Sequence, residues 1–403
     1  MWPFDRRELK DHPSGAGFMV SSPVRWGGWG NRAAYVKEGY SLNAVVYRCV
    51  EEITAAATTI ELDLIDAKGD KIERHPVLDL LARPNPRQSW DKFLVELLTN
   101  DLLFGEQIAV AYGGPRPGEL WAHDPRDVAV KPGPGGTPSA FIFDRAGTKK
   151  VYPVQYPSGA SEVFFNRRYS PDDYWRGLSP LSAARLAVDV HNEGLKWNWS
   201  LLKNSARPSG MIKFKDAPSA EVLQRLKTYF KETLQGSANA GEVPILIGDA
   251  EWNRMDMSPR DMDHGAAMAK AEMLIAMAYN VPLSLVSLDA ATFSNMAAAR
   301  EALYTNTVVP LMRGFAQALG SWLLPAYGAG LSFAINTEAT LALEPVRQRT
   351  FDRAMRGWES GVLTREEARR LIGRNADPGA GEEFKPQPGV VSLAEKAYRL
   401  AYG

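Results

Sequence analysis

The sequence predicts an α+β protein, and three observations carry that class. Helical periods and strand alternations interleave through the first half of the chain. Two long helix-like stretches, Leu181 to about Lys203 and Ser258 to Tyr279, bracket a compact βαββ-like unit, and the chain after Glu344 reads as helical pieces. Two long helices with a small head between them predict a stalk carrying a knob.

Residues 1 to 40 are rich in Gly, Pro and Trp without a sustained period, and read as an extended arm that orders only against a partner or neighbouring subunit. Trp2, Trp26 and Trp29 are either anchors at a subunit interface or cover for the chain's own core. Ser41 is the expected cap of a helix with Leu42, Val45, Val46, Cys49, Val50 and Ile53 on one side. Ile60, Leu62 and Leu64 then alternate as a strand closed by the turn at Ala67 to Asp70. His75-Pro76 opens a short helix, Arg83-Pro84-Asn85-Pro86 breaks it, and Ser89 caps another helix that stops at Gly105.

Strands follow at Ile108 to Tyr112, Leu120 to Ala122, Val128 to Val130 and Phe141 to Phe143. Ser179-Pro180 caps the first long helix, which would run ~35 Å at 1.5 Å per residue. The head comprises a strand from Met211 to Phe214, a helix from Ala220 to Leu234, and strands at Val243 to Ile247 and Glu251 to Met257. Ser258-Pro259 starts the second long helix, with Met262, Ala266, Ala269, Met273 and Met277 along one face. Its other faces are mostly Gly and Ala, so neighbouring helices can approach closely.

Asn280-Val281-Pro282 ends that helix, because the residue before proline is pushed out of the helical region. Asn280 to Ser294 carries no regular period and is where the function is placed. A further helix starts near Ser294 and continues through Leu303 and Leu311, with Pro310 predicting a kink. Leu331, Phe333 and Ile335 alternate as a strand, and Thr364 with Glu367 forms a capping box for a short helix ending at Gly373. Lys270 and Glu272 interrupt the second long helix, and no apolar run reaches the ~20 residues of a bilayer span.

Composition narrows the chemistry. Lys plus Arg equals Asp plus Glu at 47 each, so the chain has no global basic excess to hold nucleic acid. The single cysteine, Cys49, excludes an intrachain disulfide and reads as a buried structural thiol. The N-terminus MWPFDRRELK lacks the apolar core of a signal peptide, which predicts use without export. No G-x-x-x-x-G-K-[ST], H-E-x-x-H or G-x-S-x-G pattern is present, so no nucleotide motor, zinc site or serine nucleophile is expected, and no cofactor. Asp261, Asp263 and His264 form one cluster of catalytic character, although a solvated helix start accounts for it as well. Lys203, Arg207, Lys213 and Lys215 either face phosphate or form a solvated face of the head.

Several stretches together resemble the portal proteins of tailed bacteriophages, of the long-tailed phage type that includes gene transfer agents. They are LNAVVYRCVEEI from Leu42, HPVLDLLARPNP from His75, GLSPLSAARLAV from Gly177, LKNSARPSGMI from Leu202, SPRDMD from Ser258, and AYNVPLSLVSL with TFSN between Ala278 and Asn295. The resemblance covers roughly Ser41 to Asn375. In one respect the chain departs from it: Leu283-Ser284-Leu285-Val286-Ser287 stands where the family often has another proline and a glycine.

The resemblance implies a portal-type fold: an arm at 1–40, a wing at 41–178, a first stem helix at 179–207, a clip at 208–257 and a second stem helix at 258–279. A tunnel loop at 280–294 would follow, then a kinked helix and return strand at 295–343, and a crown with C-terminal tail at 344–403. It implies a ring, usually of twelve copies, at one capsid vertex of the virion, assembled in the host cytoplasm. Double-stranded DNA would pass through its channel in packaging and ejection, and the terminase large subunit, the head-tail adaptor and the major capsid protein would be partners, with no membrane.

A channel for sliding DNA must not hold it. Simultaneous neutralisation of six to ten phosphates gives strong, salt-sensitive binding, so few persistent cationic contacts are expected. Asp289, Thr292, Phe293 and Asn295 of the loop are the expected DNA-facing residues. Arg260, Lys270 and Glu272 are expected in alternating-sign pairs on or between stem helices. Gly236, Ser237, Asn239 and Glu242 are the candidate docking contacts of the clip. The competing readings are a hydrolase using Asp261 and His264, and a scaffolding or adaptor protein that forms no ring.

Overall fold

The computed structural model describes residues 32–145, 147–203, 210–214, 219, 221–222, 224–225, 228, 250–254, 264–287 and 293–373. Helices are α1 (Arg32–Ala34), α2 (Ala44–Thr58), α3 (Pro76–Ala82), α4 (Trp90–Phe104), α5 (Pro180–Lys203), α6 (His264–Ala278), α7 (Phe293–Leu303), α8 (Val309–Leu323), α9 (Glu344–Glu359) and α10 (Arg365–Leu371). Strands are β1 (Glu61–Ile65), β2 (Lys71–Ile72), β3 (Glu106–Tyr112), β4 (Glu119–Ala122), β5 (Val128–Pro132), β6 (Pro138–Arg145), β7 (Thr148–Pro153), β8 (Val163–Arg167), β9 (Gly210–Phe214), β10 (Ala250–Arg254) and β11 (Ser332–Asn336). The mixed helix and sheet class is therefore as the sequence predicts. Two compact units divide the chain, one holding residues up to 50 with 79–279, the other 51–78 with 280 onwards.

In the first unit, two antiparallel three-stranded sheets, β4-β3-β8 and β5-β6-β7, share one core. Ile108, Val110, Val128, Val130, Phe141, Phe143, Tyr152 and Val163 form it, each worth roughly 1.5–3 kcal/mol if a large apolar side chain is fully withdrawn from water. Strand β3 is buried along both faces, because α4 covers one side with Phe93, Leu94, Leu97 and Leu98. That explains why its sequence lacks alternation. Strands β7 and β8 were not apparent from the sequence: β7 reads Thr-Lys-Lys-Val-Tyr-Pro and buries only Tyr152, too little pattern for a strand.

Three local corrections have clear causes. Residues 32–41 are helical, as α1 and a π-helical turn over Tyr35–Ser41, where the sequence reads as extended arm. Arg32 is held by Glu106 and Tyr35 by Ser182, tertiary contacts that a local pattern does not reveal. The cap of α2 is Asn43, whose Oδ1 accepts from Val46 N at 3.0 Å; Ser41 closes the preceding turn instead, and Leu42, expected on the inward face, precedes the helix and is exposed. Ser89 occupies the N-cap position of α4 but makes no side-chain capping bond, whereas Gly105 ends that helix in the left-handed region as expected.

The second unit contains the sheet β11-β1-β2, with β1 antiparallel to both neighbours. Asp66 Oδ1 accepts from Lys68 N and Asp70 N and shapes the β1–β2 turn. Helix α8 packs on β11, burying Met312, Phe315 and Leu319. The predicted strand at Val243 to Ile247, most of the helix from Ala220 to Leu234, the Ser258-Pro259 helix start and the tail beyond Gly373 lie outside the described residues.

Candidate functional site

In the first unit the paired long helices α5 and α6 are the dominant feature. Ser179 caps α5 by accepting from Ser182 N at 3.0 Å, and the helix then runs 24 residues. Its start is fixed by a close backbone approach. A Cβ on Gly177 would lie 1.9 Å from Gly105 O, so neither the end of α4 nor the approach to α5 has room for a side chain there.

Glu106, with none of its side chain exposed, locks this junction. Its carboxylate accepts from Arg32 at 2.6 Å, Arg176 at 3.0 Å and the Gly177 amide at 3.1 Å. Burial pushes the Arg176 guanidinium below its usual range, and Glu106 acts in the opposite direction. A buried carboxylate with three donors is satisfied rather than reactive.

The faces between α5 and α6 are built from small and polar groups. A Cβ on Gly194 would come within 2.8 Å of Met268 Cγ, so glycine is what lets the methionine seat there. Further along, Asn43, His191 and Asn192 are all more than 90% buried. Asn43 Nδ2 donates to Asn192 Oδ1 at 2.9 Å and faces His191 Nδ1 at 3.2 Å, while Asn192 Nδ2 donates to Glu38 O at 2.8 Å. The Nδ1 of His191 is then the acceptor, which leaves the hydrogen on Nε2, 3.5 Å from Glu272 Oε1 on α6. At the end of α6, burial raises the Tyr279 hydroxyl well above the ordinary tyrosine value.

The outer faces of the pair are apolar and exposed. Leu186 and Trp199 on α5 are 76% and 67% exposed, and Val190, Leu195, Met273, Leu274 and Met277 are also in water. Leu186 and Val190 lie about half a turn around α5 from Leu195 and Trp199, so its exposed apolar side chains fall on two sides of the helix.

In the second unit, Asn280 adopts φ 54°, the left-handed conformation that terminates helices. The stop thus comes one residue earlier and by a different device than the Val281-Pro282 step alone. A 3-10 turn at Leu283–Leu285 follows. The predicted irregularity at Pro310 takes the form of a π-helical turn, Tyr304–Val308, joining α7 to α8. Asn280 Nδ2 donates to Asn306 O at 3.1 Å and Thr307 Oγ1 donates to Asn280 O at 2.6 Å, which clasps the start of the loop to that turn.

Among the sequence candidates, Lys270 is exposed on α6, Glu272 faces His191, and Asn295 is exposed in the first turn of α7, which Phe293 begins. Asp289, Thr292, Arg260, Gly236, Ser237, Asn239, Glu242, Asp261 and Asp263 lie outside the described residues, and His264 begins α6. The described residues bring no candidate catalytic pair together and contain no group of three or more His, Cys, Asp or Glu placed to hold a metal. None of the described helices is long and apolar enough to cross a membrane. Sequence reading missed Asn43, His191 and Asn192, whose partners are about 150 positions apart in the chain.

The family model for phage portal protein matches residues 44–373. A protein of Rickettsia bellii (strain RML369-C) is 31% identical over 341 residues, covering 83% of this chain and 88% of its own, and one of Rickettsia felis is 30% identical over 343. A solved chain from the neck of an empty gene transfer agent particle, computed with C6 symmetry, is 32% identical with a TM-score of 0.67, covering 89% of this chain and 98% of that one. A chain from the neck of the native particle, computed with C12 symmetry, is 31% identical with a TM-score of 0.65, covering 88% and 96%. An HK97-family phage portal protein from Corynebacterium diphtheriae shares the fold, with a TM-score of 0.56 at 15% identity over 77% of this chain and 96% of that one.

Proposed function

The chain belongs to the phage portal protein family, and from that premise we propose that it is the portal subunit in the neck of a phage or gene transfer agent particle. Copies of it form a ring at the portal vertex, and double-stranded DNA crosses the central channel in packaging and ejection. The observation that carries this reading is the apolar outer surface of the α5–α6 pair, which a lone subunit leaves in water and a ring would cover. Twelve copies is the expected number. The terminase large subunit and then the head-tail adaptor dock on the clip, at Gly236, Ser237, Asn239 and Glu242, and the major capsid protein surrounds the ring. The protein acts as a conduit and platform, without catalysis of its own.

Ring symmetry converts one side chain into a belt, so a chain with no net charge suits a channel through which DNA slides. Asp289, Thr292, Phe293 and Asn295 approach the DNA, and Arg260, Lys270 and Glu272 contribute the charged belts of the stem. Electron microscopy of the purified chain tests the assembly: rings with a central hole support it, and a monomer or dimer overturns it. Asp289→Ala and Phe293→Ala should change DNA packaging while rings persist, and unchanged packaging in both removes the loop assignment. Deleting Ser237 to Ala240 should leave rings intact and abolish terminase binding, whereas retained binding removes the docking assignment.

A further inference from the structure

The sheet β11-β1-β2 of the second unit has two edges, and they are finished differently. Strand β2 has only two residues, and its Lys71 pairs with Asp63 at 2.8 Å, a short charged edge of the kind that discourages further pairing. Strand β11, Ser-Phe-Ala-Ile-Asn, carries no charge and no proline, and its register with β1 runs unbroken over five residues. Charge, proline and bulge, the local devices that blunt an edge, are all missing from it.

The turn between β1 and β2 fixes which backbone groups face outward. Asp66 N donates to Asp70 O, so the alternation of an antiparallel ladder points Leu64 at β2 and Asp63 and Ile65 at β11. Their partners Ala334 and Ser332 therefore bond β1, and the N–H and C=O of Phe333 and Ile335 point away from it. Among the described residues no hydrogen bond reaches those outward groups, whereas the next outward carbonyl, Thr337 O, accepts from Arg347 Nη1 at 2.6 Å and Thr340 N at 3.1 Å. A groove of about 490 Å³ lies beside them, lined by Ala316, Gly320, Ser321 and Leu324 of α8 and by Leu331 and Phe333. Among the described residues no member of β1 and no charged side chain lines it, so it follows β11 on the side away from β1. A Cβ on Gly320 would stand 3.8 Å from Phe333 N, and glycine there leaves the outward amide clear.

We propose that an extended segment of the neighbouring copy in the ring completes this edge, adding to β11 as a further strand. Only an extended backbone offers a donor and an acceptor at the two-residue spacing of Phe333 and Ile335. The uncharged lining calls for small or apolar side chains at alternate positions of that segment, because a charge buried there would find no partner. A second copy is the chain that a ring holds beside this one at fixed geometry, and filling the edge on assembly keeps it from indiscriminate pairing. The strand addition rests on the portal reading for its neighbour, and it adds a sheet that one subunit leaves incomplete.

Residue-resolved hydrogen exchange on the full chain, compared between assembled protein and monomer held by dilution, tests this. The amides of Phe333 and Ile335 should exchange at least tenfold more slowly in the assembly, while Ala334, bonded to β1 in both states, should not change. Equal rates in the two states overturn the proposal. Slow exchange already in the monomer also overturns it, because the edge is then filled by its own chain. Ile335→Pro removes an outward N–H and none of the bonds to β1, a position where an edge strand tolerates proline. Ser321→Lys leaves β11 untouched and sets a charge in the groove. Each variant should keep the wild-type circular dichroism and lower the yield of assembled protein at least tenfold. If Ile335→Pro unfolds, Ser321→Lys alone decides, and wild-type assembly by the lysine variant overturns the strand addition. Micrographs of the same samples keep the two readings apart. Rings in which both amides stay fast remove only this inference, dimers or open chains in which both are slowed remove only the ring, and a chain that never associates removes both.

Discussion

Asn280 Nδ2 donates to the carbonyl of Asn306 at 3.1 Å, and that carbonyl is the one whose α-helical donor would be residue 310, a proline. The residue that ends the second long helix thus supplies a donor to the irregular turn in the helix that follows. Its own carbonyl accepts from Thr307 Oγ1 at 2.6 Å, which makes the clasp reciprocal. Asn280→Gly keeps the left-handed backbone and loses the side-chain bond, at an expected cost of about 1 kcal/mol. Asn280→Ala adds the left-handed penalty for about 2–3 kcal/mol in total. Denaturant titration of the three proteins tests the order, and Gly falling below Ala would remove the backbone part of the explanation.

Asn43 joins a helix cap to a buried network. Asn43→Ala removes the cap on Val46 N and both donated contacts to His191 and Asn192, for an expected loss of about 3 kcal/mol. Asn43→Ser restores a capping oxygen but not the two contacts, and should recover only about 1 kcal/mol of that loss. Equal stability of Ser and wild type in thermal unfolding would show that the network adds nothing.

These two clusters mark where sequence reading stops. Helix α5 was legible within one residue because Ser179-Pro180 announces its start and its apolar period is sustained. The α10 capping box was legible because all its partners lie within three residues, and both reciprocal bonds are present. Strands β9 and β10 stand where the sequence placed strands at Met211 to Phe214 and from Glu251, while their antiparallel pairing appears only in the folded chain. By contrast, Asn43 meets His191 148 residues away and Arg32 meets Glu106 74 residues away. Polar residues carry no periodic signature, so such pairs emerge only once the chain is folded. For the same reason the break in periodicity after Asn280 was legible, while the clasp of Asn280 to Asn306 and Thr307 was not.

Glu106 offers a direct measure of how firmly the start of α5 is held. Glu106→Gln keeps the shape but replaces a charge shared by Arg32 and Arg176, leaving two guanidinium groups short of a counter-charge. A loss of about 3 kcal/mol is expected, in line with breaking a buried ion pair from one side. Because Gly177 also donates to this carboxylate, hydrogen exchange at the first turn of α5 should quicken in the variant. Unchanged exchange there would confine the role of Glu106 to the sheet.

The capping box of α10 predicts a pH dependence with a definite sign. The amide of Thr364, and then its hydroxyl, donate to Glu367 and hold its carboxyl below the ordinary value of 4.5. A depressed carboxyl contributes stability that is fully present above its unfolded pKa and lost as pH falls through the folded one. Helix α10 should therefore keep its protection above about pH 5 and fray progressively below the ordinary carboxylate range. Glu367→Gln retains an oxygen that can accept from the Thr364 amide but cannot titrate, so its exchange rates at Ala368 to Ile372, corrected for intrinsic chemistry, should vary little over this interval. The same acid-induced rise in both proteins would assign the fraying to a different carboxyl, with Glu366, paired with Arg370 on the same helix, the next to substitute.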